Sequence, residues 1–326
     1  MVPTFSYQRP LSLAELWSLH ASAEGPVSLL AGGTDLVPAL KRGTVAPAVV
    51  IDVKRLLELG GIRVTPQGGL RLGALTTLHG LARSREVLAR YPTLAVAADT
   101  VASYQIRNRG TLGGNLCLDT RCSYFNQSAF WRREYPDCRK MGGGSCYVVP
   151  RGDRCHALSS SDLAPLLIAY AAEVEVASPQ GIRRFSLEDI FADDGLHATT
   201  LRPGEVLAHV LLPPPLPPGV VYRRFATRES IDFPMLSVAL AGDEGGTRVV
   251  VGHVASRPLR APGAETALAA CLAGKGVDPR EVGDAVADEL PLTSSVRGSV
   301  AYKKHVLRNL TAAAAVELAV ARERGA

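Results

Sequence analysis

Four of the chain's six cysteines, Cys122, Cys138, Cys146 and Cys155, follow one another as C-x15-C-x7-C-x8-C. The same stretch holds Gly142-Gly143-Gly144 and the aromatic residues Tyr124, Phe125, Phe130, Trp131, Tyr135 and Tyr147. Thiolates are soft anionic ligands, and four of them on irregular backbone can wrap an iron–sulfur core. The spacing is neither the compact cysteine run of ferredoxins nor the paired C-x2-C knuckles of structural zinc sites. An Fe–S cluster is the favoured reading, and zinc stays open with His156 as a spare nitrogen ligand. Two disulfides are disfavoured, because the start MVPTFSYQRP has neither the charged nor the apolar region of an export signal. Cys271, in the apolar run LAACLAG, is expected to pack as a small hydrophobe. Cys117, two residues past a Gly-Gly-Asn turn, has two readings, a residue lining a cofactor pocket and, the favoured one, an inert buried thiol.

A second kind of chemistry is written in AGGTDL and TLGGN, which each set two adjacent glycines between an apolar run and a polar group. Such turns let main-chain N–H groups approach a diphosphate, with the Thr34 and Thr111 hydroxyls as added donors. Neither spells G-x-G-x-x-G, so the Rossmann fingerprint is absent. Asp162 precedes the apolar run LAPLLIAYA, where it can cap a helix as well as meet a ligand.

The elements that must position these residues alternate along the chain. LSLAELWSLHASA has helical period; VSLLAGGTDLVPALKRG reads as strand, glycine turn, helix; and APAVVIDVKRL adds a buried strand. GGIRVTPQGGLRLG reads as a hairpin-like pair, followed by a helix capped by Thr76 or Thr77. TLAVAADTVASYQIRNRGTLGGNLC predicts a helix running into the second glycine turn, and SSSDLAPLLIAYAAEVEVAS a capped helix and strand. LLPPPLPPG is a stiff linker, after which VVYRRFAT, FPMLSVALAG and TRVVVGHVA predict strands alternating with Ala-rich helices. The expected division is 1–55, 56–212 with an insertion at about 117–160, a linker at 213–219, and 220–326, an α+β architecture in two cofactor-binding parts with a C-terminal sheet-and-helix layer.

Composition narrows the function classes. At 326 residues the chain exceeds one ordinary core. Hydrophobic content of 47% without any apolar run near the roughly 20 residues of a bilayer span predicts no membrane crossing and a cytoplasmic protein. A net charge of +5, scattered rather than striped, gives no nucleic-acid footprint. Within the cysteine stretch, however, Arg121, Arg132, Arg133, Arg139, Lys140, Arg151 and Arg154 outnumber the acids, a surface that suits an acidic partner such as a small electron carrier.

The segments LLAGGTDLVPALKRG, QIRNRGTLGGNLC, SDLAPLLIAYAAEVEV, YRRFATRESIDFPMLSVA and AYKKHVLRNLTAAAA together resemble, in order and over essentially the whole chain, the FAD-binding subunits of the molybdenum hydroxylase (xanthine dehydrogenase) family. The resemblance implies a two-part FAD-binding domain of the vanillyl-alcohol-oxidase-like (PCMH) type, followed by a C-terminal domain of the CO dehydrogenase flavoprotein type. By the same resemblance, Leu29, Leu30, Ala31, Gly32, Gly33, Thr34, Asp35 and Leu36, with Thr111, Gly113, Gly114 and Asn115, would cradle the FAD diphosphate and ribityl chain. Asp162 would bind a polar part of the cofactor and Leu207 would pack near its rings. Arg224, with Arg223 as the close alternative, stands where relatives carry a flavin-neighbouring Lys. Arg228 and Asp232 are expected to pair structurally, and Tyr302 and His305 to share a C-terminal helix face. The extra loop from Cys117 to Ser160 resembles the flavoprotein subunit of 4-hydroxybenzoyl-CoA reductases, which implies a [4Fe–4S] cluster on the four cysteines. A relay role in aromatic degradation would follow, with ferredoxin as donor and molybdenum-cofactor and [2Fe–2S] subunits as partners in a heterohexamer. The alternatives are an ordinary family FAD subunit passing electrons to NAD or quinone, and a zinc-stapled structural subunit.

Overall fold

The computed structural model describes residues 2–215, 219–228, 231–243 and 246–325. The chain forms three sheets. In the first unit, β1 (Ser6–Gln8), β2 (Val27–Leu30) and β3 (Val49–Asp52) make a parallel sheet in the order β1-β3-β2. Helix Leu13–Ala21 starts where the Ser12 hydroxyl accepts from Glu15 N–H, and it buries Leu16 against Ile51, Val53 and Leu56. Helix Leu36–Arg42 ends at Gly43, whose left-handed φ of 64° stops it.

The second unit is an antiparallel sheet of β4 (Ile62–Val64), β5 (Leu70–Gly73), β6 (Glu173–Ser178), β7 (Gly181–Ser186) and β8 (Val206–Leu212), in the order β4-β5-β8-β6-β7. Strand β8 is buried along its whole length, which is why VLAHVLL is nearly continuous in apolar residues. Helices Leu78–Arg83, Arg85–Arg90, Pro92–Asp99 and Ala164–Ala169 supply its core, and Thr77 is the cap of the first, accepting from Gly80 N–H at 3.0 Å. The predicted single helix running into the second glycine pair is instead three short ones, Pro92–Asp99, Tyr104–Arg107 and Leu112–Leu116. Ser103 and Thr111 each cap a fresh start, so Gly113 and Gly114 lie inside helix Leu112–Leu116 rather than in an open turn. The cysteine stretch leaves this unit as a closed loop whose base is the antiparallel bridge between Arg121 and Leu158, two main-chain bonds of 2.8 Å.

In the third unit, β9 (Val220–Phe225), β10 (Leu236–Asp243), β11 (Gly246–Gly252) and β12 (Leu259–Arg260) form an antiparallel sheet. Alternation along β10 serves two cores: Leu236, Val238 and Leu240 face helices Pro262–Leu272, Pro279–Glu289 and Val300–Gly325, while Ala239 and Ala241 join the core under helix Ala164–Ala169. Cys271 packs against the former core as an apolar group, and Tyr302 and His305 both lie on helix Val300–Gly325. Residues 216–218 of the predicted linker fall outside the described residues. No helix among the described residues is long and apolar enough to cross a membrane.

The last two helices touch through Gly283, where a Cβ would stand 2.3 Å from the Arg308 carbonyl oxygen. Gly283→Ala is therefore expected to push them apart and cost about 1–3 kcal/mol. Thermal denaturation should show a lower midpoint, and an unchanged midpoint would contradict this packing.

Candidate functional site

The three units enclose a cavity of about 500 Å3, a size usual for cofactor sites. Both glycine segments line it, but they do so differently. Gly32 has no room for a side chain, since a Cβ would fall 1.9 Å from the Arg109 carbonyl oxygen, and Gly33 turns the chain with φ +74°. Among the described residues, the N–H groups of Gly32, Gly33, Thr34 and Asp35 have no hydrogen-bond partner. In the second segment the donors are spent within the fold. Leu112 and Gly113 donate to the Thr76 and Ala74 carbonyls at 2.8 Å, Gly114 to the Thr111 hydroxyl at 3.0 Å, and Asn115 to the Thr111 carbonyl at 2.9 Å. The second segment thus leaves fewer of its N–H groups open than the first, and Gly113 is also held by packing, with a Cβ only 2.7 Å from the Ala74 Cβ.

Of the sequence-predicted contacts, Leu29, Ala31, Gly32, Gly33, Thr34, Asp35, Leu36, Thr111, Gly113, Gly114, Asn115, Asp162 and Leu207 line the cavity, and so does Cys117. Leu30 does not line it. Arg224 does not either; its guanidinium donates to the Thr100 and Asp232 carbonyls, and it reaches the cavity through its field on Asp162. Asp162 is not the helix cap, since the Ala164 N–H goes to the Ser161 hydroxyl at 3.2 Å. Its buried carboxylate takes a long 3.5 Å contact from the Asn115 amide, and burial pushes it up to about 6 despite the pull of Arg224. Desolvation likewise pushes the Cys117 thiol up to about 12, which disfavours its thiolate form. The expected Arg228–Asp232 pair is replaced by Arg297–Asp232 at 3.0 Å, while Arg228 donates to the Ile231 carbonyl.

Arg121, read from sequence only as surface charge, lies in the cavity wall. It pairs with Asp35 and stacks 4.6 Å from the centroid of Phe233. Burial raises the Asp35 carboxyl more than Arg121 lowers it. Only the adjacency of Arg121 to Cys122 hinted at this position.

Beside the cavity, Cys122, Cys138, Cys146 and Cys155 line one small pocket together with Phe125, Lys140 and Tyr147. Burial is the largest influence on Cys122 and Cys155 and raises both thiols, while the main chain of Tyr124 and Phe125 pulls Cys122 back and that of Ala157 pulls Cys155 back. Among the described residues, no three His, Cys, Asp or Glu side chains close on a single-ion position. The four sulfurs therefore share a cavity without converging to the roughly 2.3 Å bonds of a zinc–thiolate centre. His156 is not among the residues lining this pocket.

Comparison with known proteins agrees with the geometry. Residues 3–215 match the FAD binding domain in molybdopterin dehydrogenase, and residues 222–318 the CO dehydrogenase flavoprotein C-terminal domain. The chain is 36% identical over 274 residues (81% of this chain, 86% of the relative) to the aldehyde oxidoreductase FAD-binding subunit PaoB of Escherichia coli (strain K12). It is 27% identical over 310 residues (93% of each) to the carbon monoxide dehydrogenase medium chain of Afipia carboxidovorans. Its fold superposes on a chain of the carbon monoxide dehydrogenase of Hydrogenophaga pseudoflava with a TM-score of 0.77, at 26% identity and 99% coverage of each chain.

The buried Asp162 carboxyl sets a pH signature for the cofactor-free protein. Its folded value lies above the unfolded 3.8, so the folded state holds the extra proton and loses up to about 3 kcal/mol of stability as pH rises from about 4 to about 6. His253, held down to about 4 by burial and by Arg224, slopes the other way and masks this in the wild type. Relative to wild type, Asp162→Asn should gain melting temperature as pH rises through that window and level off above it. A pH-independent difference would contradict the assignment.

Proposed function

The chain belongs to the FAD-binding subunits of the molybdenum hydroxylase family, that of the xanthine and CO dehydrogenases, and from that premise we propose that it is the flavin-bearing electron-transfer subunit of a molybdenum-dependent dehydrogenase. The observation that carries this reading is the cavity itself, with its run of unpartnered N–H groups on one wall. In this assignment Gly32, Gly33, Thr34 and Asp35 take the diphosphate through the main chain. Thr111, Asn115 and Asp162 meet polar atoms of the ribityl chain, while Leu29, Leu36 and Leu207 pack on the rings. Arg224 acts as a fixed cation behind this wall rather than as a contact.

The same proposal places a [4Fe–4S] cluster on Cys122, Cys138, Cys146 and Cys155. Support comes from four thiols around one pocket. Bound FAD supplies the exchange between two-electron and one-electron carriers, and the cluster one-electron transfer. By family, a molybdenum-cofactor subunit and a small [2Fe–2S] subunit complete the complex. Relatives are named for oxidation of aldehydes and carbon monoxide, which favours a dehydrogenase handing electrons outward. The cysteine quartet alone favours a second reading, a ferredoxin-driven 4-hydroxybenzoyl-CoA reductase.

Flavin, iron and acid-labile sulfide analysis of the isolated complex tests the cofactors. FAD and equal amounts of iron and sulfide are expected. Cys138→Ser should lower iron and sulfide where Cys271→Ser does not, and Gly32→Ala should lower flavin. Stoichiometric zinc without sulfide would contradict the cluster. Turnover of aldehydes with an artificial acceptor supports the dehydrogenase, whereas reduction of the aromatic thioester by reduced ferredoxin would favour the second reading.

A further inference from the structure

One short piece of chain separates the two pockets. Asp119, Arg121 and Asn126 line the larger cavity, while Cys122, Tyr124 and Phe125 line the thiol pocket. Asn126 fixes this turn, accepting from Cys122 N–H at 2.7 Å through its side chain and donating its own N–H to the Cys122 carbonyl at 2.9 Å.

Lys140 reaches the same wall across the thiol pocket that it lines. Its side chain is 6% exposed, and Nζ donates to Asp119 Oδ1 at 2.8 Å, Thr120 Oγ1 at 2.6 Å and the Gly195 carbonyl at 2.7 Å. An ammonium has three donors, and all three are taken by oxygens. Nζ stands 5.3 Å from the centroid of Phe125, so its influence on the sulfurs acts through space rather than through an N–H···S bond. Gly195, one of its acceptors, donates to the Cys155 carbonyl at 3.0 Å and has no room for a side chain, since a Cβ would lie 2.6 Å from Ala157 N. Lys140 thus follows Cys138 by two residues and is fastened through Gly195 to Cys155. Arg139 lines the pocket too, but its Nε has no partner among the described residues.

We propose that Lys140 is the positioning and charge-setting residue of the thiol pocket, a buried cation that raises the reduction potential of a cluster held by the four cysteines and anchors that cluster to the wall of the flavin cavity. This rests on the cluster assignment made above. A four-thiolate cluster gains a negative charge when reduced, and a fixed cation in a low-dielectric wall favours that state. The carboxylate of Asp119, nearly half exposed, is screened by water and offsets the cation only in part.

The test is a spectroscopically monitored redox titration of the intact complex carrying Lys140→Met or Lys140→Arg, with iron, sulfide and flavin measured on each. At the potential where the wild-type cluster is half reduced, Lys140→Met should show an oxidised-to-reduced ratio at least about tenfold higher, a midpoint lower by about 59 mV for one electron. Lys140→Arg, which keeps the charge, should restore most of the shift. An unchanged midpoint in a Lys140→Met protein with full iron and sulfide overturns the proposal and leaves the cluster assignment standing. Absence of acid-labile sulfide from the wild type overturns the cluster assignment and this proposal with it. Should Lys140→Met fail to hold its cluster, Asp119→Asn decides, because it keeps the turn and leaves the ammonium unbalanced. A raised midpoint is expected there, and an unchanged one overturns the proposal.

Discussion

The cavity depends on one close approach, the main chain of Gly32 against the Arg109 carbonyl, where the parallel sheet of the first unit meets the helices of the second. Nothing larger than hydrogen fits at that contact. The positive φ at Gly33 immediately afterwards turns the chain so that four successive N–H groups are left without protein partners among the described residues. These four residues are half-buried, so their N–H groups stand open to a ligand at the cavity wall. In the proposed assignment a diphosphate, rich in acceptor oxygens, takes these donors.

Arg121 ties the remaining parts to this contact. It pairs with Asp35 of the first unit, stacks on Phe233 of the third, and forms with Leu158 the paired base of the cysteine loop. The Arg121–Asp35 pair is partly exposed and is worth only about 1 kcal/mol as a charge interaction. Its importance is geometric: Cys122 follows directly, so the position of the thiol pocket is set from the wall of the larger cavity.

Local pattern made much of this legible. The apolar runs around AGGTDL give β2, helix Leu36–Arg42 and β3, and the residue types of the four cysteines mark them as one ligand set before any contact is known. What stayed hidden depends on partners distant in sequence. Gly113 and Gly114 read as a second phosphate turn because nothing local shows that Ala74 and Thr76 take up the donors of that segment. Asp162 read as a cap, and only the structure shows the Ser161 hydroxyl in that role, itself donating to the Asn115 side chain. Lys140 looked like one basic residue among several, since the acceptor that links it to Cys155 lies 55 residues away.

The central claim is that a flavin cavity and a four-thiolate pocket sit side by side with residues 119–126 as their common wall. An iron-edge anomalous difference map from crystals of the FAD-loaded complex tests it most directly. A compact iron–sulfur peak bonded to Cys122, Cys138, Cys146 and Cys155, with flavin density across residues 119–126 and diphosphate density against Gly32–Asp35, is the predicted result. A peak at the zinc edge alone, or no metal peak among the four sulfurs beside bound flavin, would contradict it.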